Sequence, residues 1–364
     1  MRFRFNRCCS LTAANPVKQS PIKSDESVIF FPTYGTLDEA ATVWDTRIHG
    51  WIFEPSTLGG LSLAALRISL DLPANAEADE IFRQRARPFG VDNERGKAIP
   101  IVFDLDAEPE IVVLEKSTPN GHFHDRVAIP ADHIRAADKT SPPYVNLHAV
   151  VRQQDTRSFT GSAALIPPRG ISVISDIDDT IKDSNVVDRK ELLRNTFLRP
   201  FSVIPGMADR YQAWQAESSE TFAMHYVTAS PWQLFQPLQG FLQAEGFPAG
   251  TMHMKPFRVK DSTFLDLFRN QVRHKTDAIT RILNDFPQRK FVLVGDAGEH
   301  DPEIYGDIAR QRVGQILAIY IRDFAGLTRE SARLQAAFKD IAQDRWHLFS
   351  DGDDLPQSLA SLQG

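Results

Sequence analysis

The apolar run Ile171-Ser-Val-Ile-Ser175 leads without a break into Asp176-Ile-Asp178-Asp179-Thr180. An uncharged, β-branched run of this length predicts a strand buried on both faces, and hence a parallel sheet covered by helices. Three carboxylates at the end of such a strand repel one another unless a proton or a cation neutralises them. In an open α/β sheet the ligand crevice lies at that same carboxyl end. Mg²⁺, a hard ion that prefers carboxylate and carbonyl oxygens, resolves the repulsion at least cost. A lone D-x-D is ordinarily a solvated turn, so the weight here comes from a second cluster. Lys290-Phe-Val-Leu-Val294 is another apolar strand, and it runs into Gly295-Asp296-Ala-Gly-Glu-His-Asp301. Two such strands in one parallel sheet would aim Asp176, Asp178, Asp296 and Asp301 into one crevice.

The patterning changes at Pro167-Pro-Arg-Gly170. Beyond it, strands and helices alternate: strands at 171–175, 221–227, 290–294 and 315–321, and helices at 206–215, 231–245, 275–286 and 302–312. This order predicts a doubly wound α/β domain over 169–326. Before the junction, residues 27–168 carry short alternating runs such as Ala41–Trp51, Ile111–Leu114 and Tyr144–Val151, separated by Pro, Gly and Asn. They predict a mainly β, sandwich-like domain, with helices inserted near 61–70 and 78–87. Residues 1–26 read as a disordered tail, and 327–364 as a short amphipathic helix followed by a ragged tail.

The 364 residues are long for one hydrophobic core. A net charge of −6 argues against a nucleic-acid partner and gives no general attraction to anionic membranes. Contact with a lipid surface would therefore need a local basic or apolar patch. The only two cysteines are the adjacent Cys8 and Cys9, which build no disulfide framework and point to a reducing, cytoplasmic setting. No run approaches the ~20 apolar residues of a spanning helix. The basic start Arg2–Arg7 with its cysteines is either a plain tail or a peripheral membrane anchor.

Taken in order, the motifs resemble those of the haloacid dehalogenase superfamily of aspartate-nucleophile phosphatases. These are D-x-D-x-T at Asp176, Asp178 and Thr180, a strand ending in Thr228, a lysine at Lys275, and Gly295-Asp296 with Asp301. More narrowly, Ser175–Lys182, Thr228-Ala-Ser-Pro-Trp-Gln-Leu234, Gly295–Tyr305, Pro200–Met207 and Gly50–Pro55 are similar to the actin-patch-associated phosphatidate phosphatase family. The resemblance spans roughly residues 27–325. It implies Mg²⁺-dependent hydrolysis of phosphatidate to diacylglycerol through an aspartyl-phosphate.

On that basis Asp176 is the expected nucleophile, and Asp178 the acid that protonates the leaving oxygen and then activates water. Asp179 reads as a supporting or helix-capping residue. Thr180 orients the loop, and Thr228 donates to a phosphate oxygen. Ser230 competes for that role, though its place before Pro231 suits a helix cap. Lys275 balances the charge, with Lys255 as its competitor. Asp176, Asp178, Asp296 and Asp301 are the expected metal ligands. Arg258 and Lys260 are expected to recognise a headgroup, and Lys182–Phe201 to form a flap over the site. Two other functions remain open at this point: hydrolysis of a soluble phosphomonoester or phosphoprotein, and a non-catalytic β-sandwich adaptor. The presence of both Asp176 and Asp178 weighs against the adaptor.

Overall fold

A computed structural model describes residues 19–55, 64, 67–68, 72–73, 76–134, 142–217, 221–257, 271–323 and 326–363. The N-terminal cysteines, Arg258 and Lys260, and nearly all of the helix expected near 61–70 lie outside these residues.

The first half is mainly β. Its strands are β1 (Ser27–Phe30), β2 (Thr33–Leu37), β3 (Val43–Glu54), β4 (Asp92–Asn93), β5 (Pro100–Phe103), β6 (Val112–Val113), β7 (His122–Pro130), β8 (Tyr144–Ala149) and β9 (Thr160–Ile166). These strands join into one hydrogen-bonded nine-stranded sheet. The cause is β3, which is long enough to pair with β7 along one edge and with β2 and then β1 along the other. The pairings are antiparallel except β2 with β9. Alternate side chains, among them Phe30, Ile48, Ile52, Phe123, Leu147 and Leu165, form its apolar core. The inserted helix runs Ala76–Ala86, close to its expected bounds.

The second half carries β10 (Ile171–Ser175), the short pair β11 (Lys182–Asp183) and β12 (Ser202–Val203), then β13 (Ala223–Pro231), β14 (Thr251–Lys255), β15 (Lys290–Asp296), β16 (Ile316–Arg322) and β17 (Trp346–Phe349). Six of them form a parallel sheet in the order β14-β13-β10-β15-β16-β17. Successive side chains of β10 serve opposite faces. Val173 packs with Tyr211 and Trp214 of the helix Met207–Glu217 and with Leu238 of the helix Phe235–Ala244. Ile174 packs with Ile279 of the helix Gln271–Asp285 and Ile304 of the helix Asp301–Gln311. Both faces are thus covered, which accounts for the uninterrupted apolar reading of 171–175. From β10 the chain first adds strands on one side, β13 and β14, and then crosses to the other for β15, β16 and β17. The order therefore reverses between β10 and β15, and ligand crevices of open α/β sheets form at such a reversal.

Two expectations need correction. Residues 231–245 are not one helix, because β13 continues through Pro231 and the α-helix starts only at Phe235 after a 3-10 turn. Nor is the segment after 326 only a helix and a tail. Beyond the helix Ala332–Ala337, β17 pairs with β16 as the sixth strand of the parallel sheet. Buried Trp346 and Phe349 supply the apolar surface that holds it there.

The two sheets meet directly. Tyr34 donates to Asp285 at 2.6 Å, Arg47 pairs with the same carboxylate at 2.7 Å, and the rings of Phe31 and Trp232 lie 4.0 Å apart. Arg289, fully buried, ties the junction together. It donates to the carbonyls of Pro167, Arg169, Ile171 and Thr221 and to Ser172 Oγ.

Candidate active site

The reversal in strand order places Asp176 beside Asp296, since β10 and β15 pair in register up to Ser175 and Val294. Asp176 is buried, and its backbone N–H donates to Val294 across the strand pair. Lys275 reaches the crevice from the helix Gln271–Asp285 and is itself buried. Its Nζ lies 3.2 Å from Asp176 Oδ1, 2.8 Å from Glu299 Oε2 and 2.6 Å from Asp301 Oδ1. Of the two lysines in contention, only Lys275 joins these acids. Lys255 sits on β14.

Asp301 opens the helix Asp301–Gln311 and turns its carboxylate back, accepting from Lys275 and, at 3.3 Å, from the Asp296 N–H. Gly295 makes room for this return. A Cβ there would come within 2.4 Å of Asp301 Oδ2 and 2.7 Å of the Tyr305 ring. Asp296 Oδ2 accepts from the N–H groups of Gly298 and Glu299 at 2.6 and 3.0 Å, which fixes the loop.

Three acids, Asp176, Glu299 and Asp301, therefore contact the ammonium of Lys275, and Asp296 lies beside Asp176 and Glu299. Burial, followed by the neighbouring acids, drives the carboxyls of Asp176, Asp296 and Glu299 above the ordinary range, although Lys275 pulls the other way. Burial also disfavours a charge on Lys275, but Asp176, Asp301 and Glu299 more than offset it and hold the amine protonated. Among the described residues, Asp296 Oδ1 is buried without a hydrogen-bond donor, and Asp176 Oδ1 has only the ion pair with Lys275. One carboxylate oxygen from each of Asp176, Asp296 and Glu299 lies within 4.8 Å of the other two. Mutually repelling carboxylates at this spacing, with one oxygen lacking a donor, fit a hard divalent cation.

The carboxylates of the expected ligand set divide differently. Those of Asp176 and Asp296 enter the cluster, that of Asp301 is held by Lys275, and that of Asp178 faces away toward Lys182. Glu299, between Asp296 and Asp301 in sequence, completes the cluster. His300 stands outside it, at the start of the helix Asp301–Gln311.

Asp178 has its own surroundings. Lys182 Nζ lies 2.7 Å from Oδ1, and Ser184 donates to the same oxygen at 2.7 Å. Thr228 and Ser230 donate to Oδ2 at 3.2 and 3.0 Å. Burial raises the Asp178 carboxyl, but Lys182 and these hydroxyls outweigh it and bring it to about 2. Ser230 thus serves Asp178 and does not cap a helix, consistent with the extended backbone through Pro231. Thr228 likewise points at Asp178. Thr180 Oγ1 stands 3.4 Å from Asp176 Oδ2.

Asp179 adopts a left-handed φ of 53°, and its carboxylate accepts from the N–H groups of Ser184, Asn185 and Val186. It therefore pins the start of the flap. The flap consists of the β11–β12 pair and the helix Arg189–Phe197, whose Asp188 cap accepts from Lys190 and Glu191. Under it, a cavity beside Asp178 and Glu299 is lined by Val186, Leu192, Phe197, Pro231 and Leu234.

With this geometry established, comparison with known proteins becomes informative. Residues 171–323 match the family model described as phosphatidate phosphatase APP1, catalytic domain. This segment is similar to that family. The phosphatidate phosphatase APP1 of Saccharomyces cerevisiae is 40% identical over 171 residues, which are 46% of this chain and 28% of that protein. An uncharacterized protein of Schizosaccharomyces pombe is 26% identical over 283 residues, 74% of this chain and 46% of that one. The matches thus span less than half the length of either relative. Among solved structures, a carbohydrate esterase overlaps 81% of this chain and 88% of its own at 12% identity, with a TM-score of 0.22, too low to bear on the fold.

Proposed function

We propose that this protein is a Mg²⁺-dependent phosphomonoester hydrolase that converts phosphatidate to diacylglycerol through an aspartyl-phosphate. The observation that carries the reading is the placement of Asp176. It sits at the strand-order reversal in a segment similar to the APP1 catalytic family, with Asp178 and Lys275 on either side of it. In this reading the parallel sheet is a haloacid dehalogenase-like catalytic domain. Residues 27–168 form a separate β domain beside it, and β17 extends the catalytic unit past residue 326.

Asp176 attacks phosphorus, and the bond from phosphorus to the ester oxygen breaks. Asp178 gives a proton to that oxygen. It then takes one from water, which attacks phosphorus and releases inorganic phosphate and the Asp176 carboxylate. Lys182 holds Asp178 ionised in the free enzyme, which suits the second step. Its proton for the first step comes with the substrate, because the negative phosphoryl group beside Asp178 raises its carboxyl. Lys275 stays protonated and offsets the charge gathered on Asp176 and the phosphate. Asp176, Asp296 and Glu299 would hold Mg²⁺, which when bound supplies positive charge to the phosphoryl oxygens. The protein meets the membrane only peripherally in this reading, and among the described residues no helix is long and apolar enough to cross it.

The test is phosphate release from phosphatidate-containing vesicles with Mg²⁺ or with EDTA, set against a panel of soluble phosphomonoesters. Release from vesicles that requires Mg²⁺ and exceeds the soluble panel is expected. Turnover of soluble esters alone would keep the chemistry and remove the lipid. No turnover of either would sink the proposal.

A further inference from the structure

A cavity of about 950 Å³ lies between β2, β3 and β7 of the first sheet and β14 with the helix Gln271–Asp285 of the second. None of Asp176, Asp178, Asp296, Glu299 or Asp301 lines it. Five cationic side chains do, Arg47, Arg126, Lys255, Arg273 and Arg281, against two acids, Asp125 and Asp277. This is a local excess of positive charge on a chain whose net charge is −6. Asp285 engages Arg47, Asp45 engages Arg126, and Asp277 lies 3.6 Å from Arg273. Arg281 makes no ion pair among the described residues. Its field acts on Tyr34, His49, His124 and His253.

The rings of His49, His124, His253 and His274 also line the cavity. Burial pushes all four below the ordinary histidine range, so near neutrality they are uncharged and each can offer a ring N–H. Among the described residues, Arg47 Nε and His274 Nε2 are buried without a hydrogen-bond partner, and both residues belong to the lining. Unfilled donors in a polar cavity beside guanidinium groups call for acceptor oxygens carrying negative charge. The volume is that of a small-molecule site, and a junction between two sheets is where such sites form. Trp232, Met252 and Met254 give it an apolar wall.

We propose that this cavity is a second binding site, separate from the catalytic crevice, for a multiply charged phosphate-bearing ligand. The ligand is either a soluble phosphate compound or the phosphorylated headgroup of a lipid. A physical path connects the two sites. His274 lines the cavity, and the residue after it, Lys275, pairs with Asp176.

The test uses the full chain with Asp176→Asn, in EDTA and at low salt, so that catalysis and metal binding do not contribute. Pyrophosphate is titrated calorimetrically. Phosphatidylcholine vesicles containing phosphatidylinositol bisphosphate are compared by sedimentation with phosphatidylcholine alone. The second protein adds Arg273→Glu and Arg281→Glu, both exposed positions. One-site binding of at least one probe is expected, weakened about tenfold or more by the charge reversals. The same reversals in the protein that retains Asp176 should leave turnover of p-nitrophenyl phosphate unchanged, which separates this site from the catalytic reading. Pyrophosphate binding identifies a soluble ligand, and binding to the doped vesicles alone identifies a lipid headgroup. Binding of neither probe, or binding that the reversals leave unchanged, overturns the proposal.

Discussion

Glu299→Gln keeps the side chain's shape and removes one negative charge from the carboxylate cluster. Its carboxylate lies within 4.8 Å of those of Asp176 and Asp296, and Lys275 contacts all but Asp296. Two unit charges at that spacing repel by about 3.5 kcal/mol or more at an effective dielectric of about 20. In the metal-free protein this repulsion already shows as carboxyls held above their ordinary range, with burial as the leading cause. The sign of the pH dependence follows. A carboxyl raised in the folded state keeps its proton where the unfolded chain has lost it. Stability therefore falls as pH climbs from the ordinary carboxylate range toward the raised folded values. Melting of the wild-type protein in EDTA should accordingly drop between about pH 4.5 and neutrality, and Glu299→Gln should melt higher and depend less on pH. Mg²⁺ should reverse the ranking. A saturating ion at about a hundred times its dissociation constant adds about 2.7 kcal/mol to the wild type, and exchanging a carboxylate oxygen for a neutral amide oxygen should lower affinity and with it that gain. Scanning fluorimetry across pH, in EDTA and in Mg²⁺, reads both effects. A variant that melts lower in EDTA and keeps the wild-type Mg²⁺ shift would reduce Glu299 to a partner of Lys275 and refute the cluster as a cation site.

Asp178→Asn should slow hydrolysis of alkyl phosphates by about 10²–10⁴-fold, and p-nitrophenyl phosphate less, because that leaving group needs no proton; equal losses on both would remove the acid role. Lys182→Met should release the Asp178 carboxyl upward from about 2, shifting the pH dependence of water attack to higher pH in a burst experiment; an unshifted profile would mean that Lys182 does not set this group. Arg289→Met deprives four carbonyls and Ser172 Oγ of their donor, and urea unfolding should show a loss of about 3–5 kcal/mol. A loss below about 1 kcal/mol would mean that the junction does not depend on it.

Much of the parallel sheet was legible because its strands are buried on both faces. Ile171–Ser175 and Lys290–Val294 read as uninterrupted apolar runs, and each carries its carboxylates at the end that the strand reversal turns into a crevice. Lys275 could be placed only by its position ahead of Gly295-Asp296, and the structure sets it among the acids and Lys255 elsewhere. Glu299 escaped notice because its role depends on how the Asp296 carboxylate folds the loop 297–300 back, which spacing does not reveal. Lys182 escaped because it meets Asp178 only after the tight turn at Ile177–Lys182. A lysine next to Ile181, just past a D-x-D motif, was the available signal. Ser230 misled through its proline. Pro231 suits a helix start as well as a strand end, and here it ends β13. The four residues of β17 are too few to announce a strand, and their partner β16 lies more than twenty residues earlier in the chain. That all nine strands join into one sheet was hidden for a related reason. Period-two alternation gives the faces of β3 but not that its length lets it share partners on both edges.

Rapid acid quench of the enzyme turning over ³²P-labelled phosphatidate, followed by peptide mapping, bears on the nucleophile itself. The mechanism predicts an acid-stable, hydroxylamine-sensitive label on the peptide containing Asp176, absent from Asp176→Asn. Wild-type turnover by that variant, or a label on any other residue, would contradict it.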